Sequence, residues 1–186
     1  QNGLSLLHVE KRGIPLVAVG MLLRSGAMKD PADRPGLAHM TAAMLLEGTV
    51  TRSSQQIAEE TEFLGAHLDS TAAREHVSLS VETLTANWRK ALGLMADVAR
   101  NATFPARELE RVRNERLTDL KRVADEPNLI AQRASRALLY GPESSYGHPL
   151  TGTEQAVSAV TREELAGLYA DQYVPGSVTV IVVGDV

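Results

Sequence analysis

Over the first two dozen residues, apolar positions come in short β-rich runs rather than at helical spacing. Gln1 opens directly into strand-like sequence, and Leu4 to Glu10 and Leu16 to Leu23 form two such runs. Lys11-Arg12-Gly13-Ile14-Pro15 separates them, which predicts a β-hairpin. Ser25 to Pro35, with Gly26, Pro31 and Pro35, reads as loop. Leu37 to Leu46 is apolar almost all round, the signature of a buried helix. Ser53 or Ser54 is placed to cap a second helix to about Leu64, with Ile57, Thr61 and Leu64 at helical spacing.

Gly65 ends that helix, and two further strands are expected, near His67 to Ala72 and His76 to Leu84. In the latter, Val77, Leu79 and Val81 alternate with Ser78, Ser80 and Glu82, the period of a half-buried strand. From Asn87 onward the pattern turns helical: Trp88 to Arg100, Ala106 to Ala124, Leu129 to Tyr140 and Arg162 to Tyr173. Pro105, Pro127, Pro149 and Pro175 punctuate these segments. Val178 to Val183 reads as a buried strand, with a turn expected at Gly184-Asp185. Strands and helices are mixed without regular βαβ alternation. This favours an α+β fold, a mixed or antiparallel sheet with helices packed on one face.

The chain has 186 residues and is 44% hydrophobic, enough for one domain with a sizeable core. A formal net charge of -4 argues against a nucleic-acid partner, which favours a basic face. With no cysteine, neither a disulfide framework nor a thiolate metal site is available. No apolar run approaches the length of a membrane-spanning helix. The abrupt start at Gln1 and the stop after Gly184-Asp185 are expected of a piece cut from a longer protein, any targeting segment having been removed. There is no Gly-x-Ser-x-Gly elbow for a serine hydrolase and no Gly-x-x-x-x-Gly-Lys phosphate loop.

The chemically informative stretch is Gly36-Leu-Ala-His39-Met-Thr-Ala42-Ala43-Met44-Leu-Leu-Glu-Gly-Thr49. An inverted zincin carries His-x-x-Glu-His at such a place, two ligands one helical turn apart with a catalytic Glu beside the second. Here the first His is kept as His39, and Ala42 and Ala43 replace the Glu and the second His. Other motifs follow: Ala72-Ala73-Arg74-Glu75-His76, Phe104-Pro105, Glu108-Leu-Glu-Arg111 and Asp125-Glu126-Pro127. After these comes Tyr146-Gly147-His148-Pro149-Leu150 with Gly152-Thr153. In this order and spacing the chain resembles the pitrilysin/insulinase family of zinc peptidases, which includes mitochondrial processing peptidase and paired bacterial homologues. The resemblance extends over essentially all of residues 1–186.

The resemblance implies a single peptidase-like half-domain spanning residues 1–186, the N-terminal half of a two-half subunit. In active members the two His bind zinc and the Glu activates the metal-bound water; the third ligand is a Glu on a later helix. That division follows from chemistry, since neutral imidazoles hold the metal and a carboxylate takes the proton of a water made acidic by zinc. The third-ligand position, 76 residues beyond Ala43, holds Asp119, and a supporting Glu aligns with Val112. Ala42 therefore stands at the general-base position, and His39, Ala43 and Asp119 are the remnant metal positions. Methyl groups neither accept a proton nor coordinate a metal, so no bound zinc or other cofactor is expected.

The residues also carry plainer readings. A single His on an apolar helix is commonly a core histidine, and Asp119, Glu115 and Arg111 fit a charged helix face with i,i+4 pairs. His67, His76 and Glu75 lie on neighbouring strands, where alternation sends His76 and Glu75 to opposite faces. His148 sits in a Gly-Pro loop and reads as part of a turn. In the family, the strand before the Glu75-His76 position receives substrate as an added strand through backbone hydrogen bonds. Here that strand is His67-Leu68-Asp69-Ser70-Thr71-Ala72; its alternative is an ordinary edge protected by polar residues.

By resemblance, the expected function is a catalytically inactive subunit that pairs with an active zinc-peptidase homologue around a peptide-degrading or processing chamber. Self-association is the other expected pairing, and peptide is the expected ligand. Two alternatives stand beside it: a zinc metalloendopeptidase with an unorthodox site, and a purely structural core-like subunit. The compartment is not encoded; by resemblance to exported bacterial pairs it would be the periplasm.

Overall fold

The computed structural model describes residues 2–141 and 144–186 of the chain; Gln1 lies outside the described residues. Among the described residues, five strands form one mixed sheet: β1 (Ser5–Glu10), β2 (Leu16–Leu23), β3 (His67–Ala72), β4 (Val77–Leu84) and β5 (Val178–Gly184), in the spatial order β1-β5-β2-β4-β3. The helices are α1 (Leu37–Met44), α2 (Ser54–Phe63), α3 (Trp88–Asn101), α4 (Ala106–Ala124), α5 (Pro127–Tyr140), α6 (Glu154–Ala159) and α7 (Arg162–Gln172). The α+β class is as the sequence predicts.

The expected hairpin between the first two strands does not form. β5 lies between them, parallel to β1 and antiparallel to β2. The physical reason is in the composition. β5 is apolar at almost every position, so it gains by pairing on both sides. β1 interleaves Ser5, His8 and Glu10 with its apolar residues and is exposed along its whole length, as suits an edge. The segment 11–15 carries the chain over the end of β5, where the Lys11 N–H donates to the Gly184 carbonyl at 2.9 Å.

One sheet face carries the helices. Val17, Val19, Met21 and Leu23 of β2 and Val77, Leu79 and Val81 of β4 are buried on that face, against Leu94, Met95 and Val98 of α3 and Leu165 of α7. The opposite face presents Gly20 and Leu22 half-exposed, beside Ser78 and Ser80. Each fully buried aliphatic side chain contributes roughly 1.5–3 kcal/mol. This two-layer packing holds α1 and α4 in place.

Caps explain several boundaries. The Ser53 hydroxyl accepts from the Gln56 N–H while the Gln56 side chain accepts from the Ser53 N–H, a capping box that fixes the start of α2. Thr161 and Glu164 make the same reciprocal pair at α7. The short helix α6, which the sequence pattern did not predict, is capped by Thr153, whose hydroxyl accepts from the Ala156 N–H.

Candidate functional site

The site is built where α1 meets β3 and α4. α1 is almost wholly buried, with Leu37, Ala38, Met40, Thr41, Ala42 and Met44 inside. Its start has no local side-chain cap, and Asp30 supplies one from the preceding loop. Its two carboxylate oxygens accept from the Gly36 and Ala38 N–H groups, each at 2.8 Å, satisfying donors that a helix start leaves unpaired. Burial raises the Asp30 carboxyl to about pH 6 in spite of these bonds, which pull the other way.

The structure places each sequence-derived position as follows. Ala42 is fully buried in the packing of α1, and Ala43, half-buried, packs against the core. His39 is half-buried, and its Nδ1 is enclosed without a hydrogen-bond partner among the described residues. Burial lowers its pKa to about 4, and the nearby charge of Arg116 adds to the shift, so the imidazole is neutral at pH 7. Val112 is buried in the core rather than standing as a polar support.

Asp119 lies between two cations of its own helix, 3.8 Å from Arg116 and 3.7 Å from Arg122. Arg111 donates to Glu47, to Glu108 at 2.8 Å and to Glu115 at 2.8 Å, joining α4 to the turn that ends α1. A charged helix face with i,i+3 and i,i+4 pairs therefore accounts for Arg111, Glu115 and Asp119.

Zinc, which the family resemblance implies, needs three protein ligands and an open position in a catalytic site. His39 offers one nitrogen and Asp119 a carboxylate already engaged by arginines; Ala42 and Ala43 offer no donor atoms. The residues present do not fit the metal. Among the described residues no group of three His, Cys, Asp or Glu side chains is placed to hold an ion. The strand register pairs His67 with Glu82 and Ala72 with Val77, so His67 lies at the far end of the hairpin from His76. His148 sits in the loop held by Arg74, which donates to the Ser145 carbonyl at 2.7 Å and the His148 carbonyl at 2.9 Å.

Among the described residues, β3 (His67, Leu68, Asp69, Ser70, Thr71, Ala72) is an edge strand, paired with β4 on one side only. Leu68, Ser70 and Ala72 alternate with His67, Asp69 and Thr71, so the two sets point to opposite faces. Beside its start opens a cleft of about 660 Å³, whose lining includes Leu68, Leu46, Ile57, Glu47, Glu108 and Arg111.

The loop pattern of Ser25 to Pro35 does not mark Asp30 as a cap, although a carboxylate before a helix start is a known capping signal. Nor does the charged face of α4 by itself mark Arg116. It lies four residues after Val112 and three before Asp119, on the helix row that carries the remnant ligand position, and that spacing was the available signal.

A family model described as Insulinase (Peptidase family M16) matches residues 7–153. The chain belongs to this insulinase family. An uncharacterized zinc protease of Bacillus subtilis, YmxG, is 26% identical over all 186 residues, which cover 45% of that protein. A probable β subunit of mitochondrial-processing peptidase from Arabidopsis thaliana is 25% identical over 100% of the chain and 35% of its own length. Among solved structures, a peptidase M16 inactive domain from Pseudomonas fluorescens superposes with a TM-score of 0.94 at 30% identity, over 100% of this chain and 45% of that one. The chain thus spans less than half the length of these insulinase-family relatives.

Proposed function

We propose that the chain is the N-terminal half of a non-catalytic insulinase-family subunit, which pairs with a zinc-bearing homologue and helps to enclose a peptide-processing chamber. One observation carries the reading. α1 keeps its buried packing and its Asp30 cap, while the general-base and second-ligand positions are the methyl groups of Ala42 and Ala43. A peptidase needs a base beside the metal-bound water, and none stands there. Shape is retained where chemistry is lost, as expected when the helix still serves an assembly.

Peptide contact does not require that chemistry. β3 has one free edge whose backbone groups can pair with an extended peptide, and the neighbouring cleft gives room for peptide side chains. The similarity to a structure described as an inactive domain, and to a processing-peptidase β subunit, supports the same reading.

The test is co-expression of the full-length protein with a homologue bearing an intact His-x-x-Glu-His. Co-purification of the two is expected, with chelator-sensitive peptide cleavage in the mixture and none in the full-length chain alone. Cleavage by that chain alone, abolished by a chelator, overturns the reading, as does failure of the two to associate. Binding of a labelled peptide that is lost when alternate amides are N-methylated separates this reading from a purely structural subunit.

A further inference from the structure

Three observations converge on the space between α1 and α4. Val112, Arg116 and Asp119 recur at i, i+4 and i+7, one row of α4, and Val112 at the head of that row is buried in the core. The Arg116 side chain is only 20% exposed, and its Nε is enclosed without a hydrogen-bond partner among the described residues. From this row Arg116 reaches toward Asp119 at 3.8 Å on its own helix. α1 packs against α4, and across that contact the Arg116 charge bears on the His39 imidazole, whose enclosed Nδ1 also has no partner among the described residues.

We propose that the Arg116 guanidinium is a built-in cation at the remnant metal position, held between His39 and Asp119, two of the three places from which ligands would come. Guanidinium carries its charge at every physiological pH and has no acceptor, so it can donate to a carboxylate but cannot join a ligand set. A divalent ion brought to the same space would meet like charge at short range, beside a largely buried arginine. The loss of zinc is then more than the loss of two donor atoms: the space has been given to another positive group. The inference is independent of any partner subunit, since it concerns the interior of this half-domain alone.

The experiment compares two variants of the full-length protein. The first reinstates the donors with Ala42→Glu, Ala43→His and Asp119→Glu and keeps Arg116. The second adds Arg116→Leu. After dialysis against zinc and then buffer, elemental analysis is expected to find little zinc in the first and roughly one per chain in the second. Stoichiometric zinc in the first variant overturns the proposal, and so does equal, negligible zinc in two folded variants, because Arg116 would then not be what bars the metal. A second measurement needs no variant beyond one assignment control. In protein labelled with 15N-arginine, the Arg116 Nε–H resonance, identified by its loss in Arg116→Lys, is expected to be shifted from the exposed arginines and slow to exchange with water. It is also expected to stay unmoved on addition of zinc. A fast-exchanging resonance at the position of the exposed arginines overturns the proposal even if the reinstated variants do not fold.

Discussion

Gly36 and Gly152 meet backbone to backbone: a Cβ placed on Gly36 would lie 2.7 Å from the Gly152 Cα. Gly36 also has φ of +92°, a conformation that side chains rarely adopt. The start of α1 is thus seated directly on the loop that precedes α6, and two motifs far apart in sequence share one close contact. Gly36→Ala is expected to destabilise the fold by about 2–4 kcal/mol, and Gly152→Ala by a similar amount. Because the two replacements damage one contact, the double variant should lose less than the sum. Chemical denaturation of the four proteins checks this, and strict additivity would contradict a shared contact.

Asp30 gives stability a pH dependence. Its carboxyl titrates at about 6 in the folded chain against an ordinary value of 3.8, because burial outweighs the bonds from Ala38, Gly36 and Leu37. The folded chain therefore holds the proton more tightly than the unfolded one. The contribution is fully present below about pH 4 and is lost as the pH rises through 6, by on the order of 3 kcal/mol. Asp30→Asn cannot ionise, so the stability of the native chain relative to this variant should fall between pH 4 and 6. A relative stability that rises over the same range would reverse the sign assigned to Asp30.

Arg111 ties α4 to the turn after α1 through Glu47, Glu108 and Glu115. The guanidinium is nearly half exposed, so solvent and salt screen the network, and its size is that of a surface cluster. Arg111→Ala should cost about 1 kcal/mol at low ionic strength and less in molar salt. Thermal melts at two salt concentrations test it; a loss of several kcal/mol that salt leaves unchanged would mean that the cluster behaves as a buried one.

Phe104 is buried against Tyr169, ring centroids 5.4 Å apart in an edge-on arrangement, and its φ is +50°. The residue spends backbone strain to put an aromatic ring at the junction of α3 and α4. Phe104→Ala is expected to destabilise by about 3–5 kcal/mol, the cost of an emptied aromatic site. Calorimetry on the purified variant would measure it, and a change below 1 kcal/mol would show that the site collapses without a cavity.

The helices other than α6 and the β3–β4 hairpin were legible because their signals are local: the alternation of Val77, Leu79 and Val81, the cap at Ser53, and the prolines at 105 and 127. The sheet order was not. Whether Leu4 to Glu10 pairs with its neighbour in sequence or with a strand about 170 residues away depends on which partner buries more apolar surface. No short window contains that comparison. The site divides in the same way. The replacement of donors by Ala42 and Ala43 is written in one motif, whereas the influence of the Arg116 charge on His39 depends on the packing of α1 against α4, two helices distant in sequence.

Because β5 sits between β1 and β2, β1 has no sheet partner until β5, far along the chain, has been made. The β2-β4-β3 meander can assemble early, but β1 must wait as an exposed segment carrying Leu6, Leu7 and Val9. Closure of the sheet is then a late, long-range event, slow by the entropy of joining distant parts of the chain. During synthesis β1 is an unpaired strand edge of the kind that invites aggregation, and a chain stopped before residue 178 would leave it without β5 to pair with.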